Sequence, residues 1–161
     1  MTDYKSLFPQ AVRMAYLDTG AEGLPVPRAE DALRQYFKDK SLGTPGRRCL
    51  HAAEAETLEL AARLLGTQKA SVALLSSASE ALNVLPHSID WREGDEAIVT
   101  DLEFPSNVLA CLRLKQAGVK VVIVPGDRGA FDWEEMAERL SPRTRLVSVS
   151  LVSYKTGAYF T

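Results

Sequence analysis

The chain has 161 residues, 46% of them hydrophobic and 25% charged, a balance that excludes collagen, coiled coil and extensive disorder. Nineteen Lys and Arg against 21 Asp and Glu leave a net charge of −2, so no positive excess is available to drive nucleic-acid binding. No apolar stretch approaches the roughly 20 residues of a membrane span. The start, Met1-Thr-Asp-Tyr-Lys5, lacks the basic patch and apolar run of a secretory signal, and a cytoplasmic protein without a membrane partner is expected.

The first 14 residues read as a short arm. Ala15-Tyr-Leu-Asp18 reads as a brief strand stopped by Thr19-Gly20, and residues 21–27, with two glycines and two prolines, as a loop. Leu33, Tyr36 and Phe37 fall at i, i+3 and i+4, predicting a helix over 28–40 that Gly43-Thr-Pro-Gly46 breaks. A second helix carries Leu58, Ala61, Ala62 and Leu65 on one face, with Gly66 as its stop. Ser71-Val-Ala-Leu-Leu75 is apolar without alternation, the mark of a strand covered on both faces. A helix over 79–90 follows, with Pro86 as a kink or early end. Strands are expected at 97–100, 119–124 and 146–151, separated by helices at 105–116 and 133–140 and by a Gly-rich turn before the last helix. Alternating strand and helix predicts an α/β fold: a largely parallel sheet with flanking helices.

In an open α/β sheet, ligands bind beyond the carboxyl ends of the strands. Three segments qualify: Ser76-Ser-Ala-Ser79, Asp101-Leu-Glu-Phe-Pro-Ser-Asn107 and Ser153-Tyr-Lys-Thr-Gly157. The first is a natural phosphate site, because a helix N-terminus offers free amides and a positive dipole end. Ser77-x-x-Glu80 is also a capping box, which satisfies the same terminus without a ligand, and the local sequence leaves both readings open. In the second segment Phe104 offers a ring to a flat cofactor or, more commonly, to the core, and Asp101 and Glu103 read as a solvated pair. The third contains Lys155-Thr-Gly, but no lysine has a serine three positions before it and Gly-x-Ser-x-Gly is absent, so a serine hydrolase is rejected. Neither nucleotide fingerprint, Gly-x-Gly-x-x-Gly or Gly-x4-Gly-Lys-Ser/Thr, occurs. Cys49 and Cys111, far apart, form no disulfide framework or metal pair and read as two buried or half-buried thiols. No metal site is expected.

Taken together the chain resembles the N-terminal portion of the class V aminotransferase family of pyridoxal-phosphate (PLP) enzymes, which includes cysteine desulfurases and isopenicillin N epimerase-like proteins. Besides the three segments, Ala15-Tyr-Leu-Asp-Thr-Gly-Ala21, Gly94-Asp-Glu-Ala-Ile-Val-Thr100, Ser141-Pro-Arg-Thr-Arg-Leu-Val147 and Val149-Ser-Leu-Val-Ser-Tyr-Lys-Thr-Gly157 carry the resemblance, in order. It implies part of the large domain of a fold type I PLP-dependent transferase or lyase, over 46–161, preceded by an arm, short strand and helix over 1–45. It implies PLP as cofactor, held at its phosphate by Ala78 and Ser79, stacked on Phe104 and hydrogen-bonded at its phenolic oxygen by Tyr154. Gly20 and Ala21 are implied to lie near the substrate entrance.

Phe104 and Tyr154 stand where desulfurases commonly have histidine and asparagine, which leans the expectation away from a housekeeping desulfurase. The Schiff-base lysine and the pyridine-pairing aspartate have no match, and Lys155 is expected to point away from Tyr154 by strand alternation. No catalytic residue is therefore assigned. The expectation is a truncated chain of an enzyme acting on a small amino acid, a homodimer when complete and inactive as 161 residues alone. Transamination, desulfuration, epimerisation and elimination all stay open. The alternative is a non-catalytic fragment or a phosphate- or nucleotide-binding α/β module.

Overall fold

The computed structural model describes residues 4–12, 14–126, 129 and 132–160. The chain divides into two compact units, Met1–Leu74 and Leu75–Thr161.

The first unit is built on two helices, α1 (Arg28–Ser41) and α2 (Thr44–Leu65), packed against each other. Both expected helices form. Acidic Glu30 and Asp31 open α1 and Lys38 and Lys40 close it, each matching the sign of its helix end. α2 begins with Pro45 in its first turn and ends at Gly66, whose φ of 64° is the left-handed stop that only glycine adopts freely. Gly46 sits at the crossing of the two helices: a Cβ there would lie 1.7 Å from the carbonyl oxygen of Asp39. Ahead of the helices, Tyr4–Leu7 and Pro9–Ala11 are short 3-10 turns, while residues 1–3 and 13 of the expected arm lie outside the described residues. The brief strand expected at 15–18 does not form, because no ladder partner lies beside it among the described residues.

The second unit contains α3 (Ala78–His87), β1 (Glu96–Thr100), α4 (Pro105–Arg113), β2 (Lys120–Val124), α5 (Trp133–Glu138) and β3 (Thr144–Ser148). The strands form one parallel sheet in the order β2-β1-β3, with Val99 opposite both Ile123 and Ser148. β1 is buried along its whole length, and side-chain alternation divides the core between its two faces. Ile98 joins Leu102, Val124, Met136 and Phe160 on one face. Ala97 joins Leu114 and Val119 on the other, with Trp91 and Leu146 packed against them. At the amino end of β1, Glu96 accepts hydrogen bonds from Lys120 Nζ at 2.8 Å and Ser141 Oγ at 2.7 Å, tying it to β2 and to the approach to β3.

Several expected boundaries move. Residues 71–75 do not form a strand: Lys69–Ser71 is a 3-10 turn, no ladder partner follows, and Leu74 and Leu75 are half exposed rather than covered on both faces. α3 stops at His87, just past Pro86, which has no amide to donate. α4 tightens into a 3-10 turn, Leu114–Ala117, before Gly118 at φ 76°. β3 ends at Ser148, opposite Val99 and one residue before β1 itself ends, and the Ser150 amide turns to a side chain instead. The Gly-rich turn ahead of α5 lies partly outside the described residues, at 127, 128, 130 and 131.

Gly46→Ala is expected to destabilise the first unit by about 2 kcal/mol, because the helix crossing must open to admit one methyl group. Urea denaturation checks it: a midpoint unchanged from wild type would contradict this account of the crossing.

Candidate functional site

The N-terminus of α3 is capped from within. Ser77, in extended conformation, accepts the Glu80 amide on its hydroxyl at 3.1 Å. Glu80 does not close the reciprocal half of the expected box on Ser77. Its carboxylate reaches one residue further back, accepting the Ser76 amide at 2.7 Å and the Ser76 hydroxyl at 2.6 Å. These bonds, the hydroxyl first, hold the Glu80 carboxyl below its ordinary value. Among the described residues no hydrogen bond reaches the amides of Ala78 and Ser79 or the Ser79 hydroxyl. The cap therefore leaves donors over: it uses Ser76, Ser77 and Glu80, and two amides and a hydroxyl remain without a partner among the described residues.

Phe104 is the N-cap residue of α4, a few residues past the carboxyl end of β1. Tyr154 lies at the tip of a tight loop beyond β3, closed by the Ser153 amide to the Ala158 carbonyl at 2.9 Å and by a bridge between Val152 and Tyr159. The loop needs Gly157 at φ 71°, where its amide reaches the Ser153 carbonyl at 2.9 Å. The rings of Phe104 and Tyr154 meet edge to face, 5.0 Å between centroids at 72°, yet they stay 53% and 52% exposed. An edge-to-face pair covers one face of one ring only, so a flat ligand still finds an open aromatic surface.

Lys155 corrects the alternation argument. Residues 154–156 are a turn, not a strand, and Lys155 Nζ lies 6.0 Å from the Tyr154 ring centroid instead of on the opposite side. Its ammonium donates to the Asp101 carbonyl at 2.8 Å, linking the loop after β3 to the loop after β1.

Asp101 and Glu103 do not form a solvated pair. Asp101 accepts the Gly126 amide at 2.7 Å, whereas Glu103 is 2% exposed. The Glu103 carboxylate accepts from the Ser150 amide at 2.7 Å, the Ser150 hydroxyl at 2.6 Å, Asn107 Nδ2 at 2.8 Å and, more weakly, the Thr100 hydroxyl at 3.4 Å. Asn107 in turn accepts the Ser148 hydroxyl at 2.8 Å. Sequence reasoning missed this network. Its available signal was Glu103 and Asn107 at i and i+4 around a Pro-started helix, facing Ser148 and Ser150 at strand spacing.

Ala78, Ser79, Phe104 and Tyr154 all belong to the second unit, where α3 packs on α4 and the rings of Phe104 and Tyr154 are in contact. Gly20 and Ala21 belong to the first unit, beside an apolar hollow of about 550 Å³ lined by Phe8, Met14, Tyr16 and Leu24 among others. Cys49 is exposed, contrary to expectation, on a helix that buries only Gly46 and Ala62 among its described residues. Cys111 is buried, and burial, followed by the charge of Glu103, pushes its thiol up. No three His, Cys, Asp or Glu residues gather around a possible metal position, and no helix is long and apolar enough to cross a membrane, among the described residues.

A model of the family described as Aminotransferase class-V matches residues 15–161. The chain belongs to that family. A probable cysteine desulfurase of Methanothermobacter thermautotrophicus is 32% identical over 152 residues, covering 88% of this chain and 37% of that protein. One from Pseudomonas aeruginosa is 29% identical over 156 residues, covering 91% and 39%. The chain thus spans about two fifths of the length of these relatives. Among solved structures, the cysteine desulfurase CsdA of Escherichia coli matches with a TM-score of 0.80 at 25% identity, covering 97% of this chain and 42% of that one. A C-DES variant with glycine covalently linked to its PLP cofactor matches with a TM-score of 0.87, covering 98% and 43%; at 20% identity that likeness is one of fold. The expected α/β architecture, a parallel sheet with flanking helices, is thus the fold this chain shares with the matched parts of these solved structures.

Glu80 offers a pH test of the capped terminus. A carboxyl held below its ordinary value of 4.5 stabilises the fold above that value and loses the contribution as pH falls through the lowered one. The stability gap between wild type and Glu80→Gln should be open at neutral pH and close as pH drops below 4.5. Denaturant titrations across that range check the sign, and a gap that widens on acidification contradicts it.

Proposed function

We propose that this chain is the cofactor-cradling, N-terminal part of a PLP-dependent enzyme acting on an amino acid. The observation that carries the reading is the half-exposed Phe104–Tyr154 ring pair beyond the carboxyl ends of β1 and β3. Family membership and the similarity to probable cysteine desulfurases support it. The residues suit the group chemically. The amides of Ala78 and Ser79 and the Ser79 hydroxyl are donors for a phosphate at the positive end of α3. Phe104 offers a face to a pyridine ring, and the Tyr154 hydroxyl is a donor for a phenolic oxygen.

When bound, PLP supplies the electron sink that stabilises negative charge at the α-carbon of an amino acid. The work of this chain's residues is to bind and orient: the α3 terminus fixes one end, the ring fixes the plane, and the tyrosine hydroxyl shares a proton at the phenolic oxygen. Phe104 has no titratable proton, so it stacks without acting as an acid or base. We assign no catalytic residue within 1–161 and leave transamination, desulfuration, epimerisation and elimination as the reaction classes. A homodimer in the cytoplasm completes the proposal, supported by apolar side chains such as Phe37, Leu64 and Leu65, 67%, 88% and 68% exposed on α1 and α2.

The test is equilibrium binding of PLP to the 161-residue chain. Ser79→Ala and Phe104→Ala should each weaken binding about tenfold, because each removes one anchor. Equal affinity in both variants and wild type, or no binding by wild type, overturns the reading. Borohydride reduction that fixes the cofactor on Lys155 would give this chain covalent work and contradict a binding-only role.

A further inference from the structure

We propose that Glu103 is a positioning residue that sets the Phe104–Tyr154 ring pair, and through it the affinity for the cofactor ring; the second half of this statement rests on the proposed function. Glu103 precedes Phe104 directly, and three features show that its carboxylate does more than fill space.

It is buried, and among the described residues it forms no ion pair. Burying a carboxylate without a cation is costly unless donors surround it. Here the donors come from both sides of the site: Asn107 from α4, Thr100 from the end of β1, and Ser150, with both amide and hydroxyl, from the segment after β3. Such a carboxylate can only accept, and the Ser150 amide and Asn107 Nδ2 can only donate, so the arrangement specifies one register between the two segments.

Ser150 is also the fixed point at which the chain enters the loop bearing Tyr154. From Leu151 onward the loop is braced against itself, Phe160 donating to Leu151, Ser153 to Ala158 and Gly157 to Ser153, each at 2.9 Å, while Thr156 Oγ1 donates to the Gly129 carbonyl at 2.8 Å and Phe160 anchors the far end in the core beside Ile98. With its far end anchored at Phe160 and its interior tied by these bonds, the loop carries a displacement at Ser150 to its tip rather than absorbing it. Lys155 Nζ on the Asp101 carbonyl is a second strut between the same loops, but it is a single bond at an exposed site. The buried Glu103–Ser150 contact is therefore the stronger determinant of where the rings meet.

Glu103→Gln keeps the volume but replaces one acceptor with a donor that must face the Ser150 hydroxyl or amide, or Asn107. Ser150→Ala removes only the hydroxyl half of the contact and serves where the first variant fails to fold. Two readouts are used on the 161-residue chain. The first needs no ligand: ring-to-ring nuclear Overhauser effects between Phe104 and Tyr154 should be present in wild type and lost or weakened in the variant, while those between Val99 and Ile123 across the sheet persist. The second is PLP affinity in a double-mutant cycle. Glu103→Gln should weaken binding about tenfold with Phe104 present and by no more than about twofold in the Phe104→Ala background, since a residue acting through the ring has nothing to position once the ring is gone.

Unchanged ring contacts in both variants, or ring contacts absent from wild type, overturn the positioning role. An equal loss of affinity in both backgrounds also overturns it, reducing Glu103 to general structural support. Intact wild-type ring contacts that respond to Glu103→Gln, with no PLP binding, would instead sink the cofactor reading and leave the positioning of the rings standing.

Discussion

A carboxylate buried without a cation organises the functional end of the second unit. Glu103 sits where the central strand β1 gives out, and its four donors arrive from β1, α4 and the segment after β3. Three elements that separate in sequence are thereby made to converge at one point. Such a contact is demanding, because an unmet buried charge costs far more than a met one returns. That asymmetry favours one arrangement of the two loops over its neighbours. The rings of Phe104 and Tyr154, the open amides of α3 and the bracing of Lys155 all lie in the same unit as this anchor.

The opposite end of β1 is held by different means. Glu96 gathers Lys120 and Ser141, and the bonds from these partners, Lys120 first, hold its carboxyl low. The same strand thus carries a carboxylate tie at each end, one paired with a lysine and the other met by neutral donors. Between them Ile98 and Ala97 send side chains into separate cores, so the strand cannot slip without exposing one core and burying polar groups in the other. Open α/β sheets bind ligands beyond the carboxyl ends of their strands, and it is there that the exposed rings stand.

Much of this was legible in the sequence because it rests on local rules. The periodicity of Leu33, Tyr36 and Phe37, the stop at Gly66 and the short apolar runs of β1 and β2 each gave their element. What failed was whatever needed a partner. Residues 15–18 and 71–75 have strand-like composition, yet a strand exists only where a neighbour completes its ladder, and composition carries no record of neighbours. Alternation misplaced Lys155 for the same reason, since β3 pairs no further than Ser148 and the chain turns at residues 154–156. At the site, Ser77 and Phe104 could be singled out from their positions beside helix starts. Glu103 was misread as solvated because two of its four donors, the Ser150 amide and hydroxyl, lie 47 residues away in sequence. The family resemblance, carried by ordered short motifs, survived these local errors because it depended on residue identity and spacing rather than on any one element.

The most direct measurement is a series of amide and aromatic NMR spectra of the chain as PLP is added. The account predicts shifts at the amides of Ala78 and Ser79 and at the rings of Phe104 and Tyr154, with α2 residues such as Ala62 unmoved. Shifts confined to the apolar hollow around Phe8 and Tyr16, or no shifts at all, would contradict it.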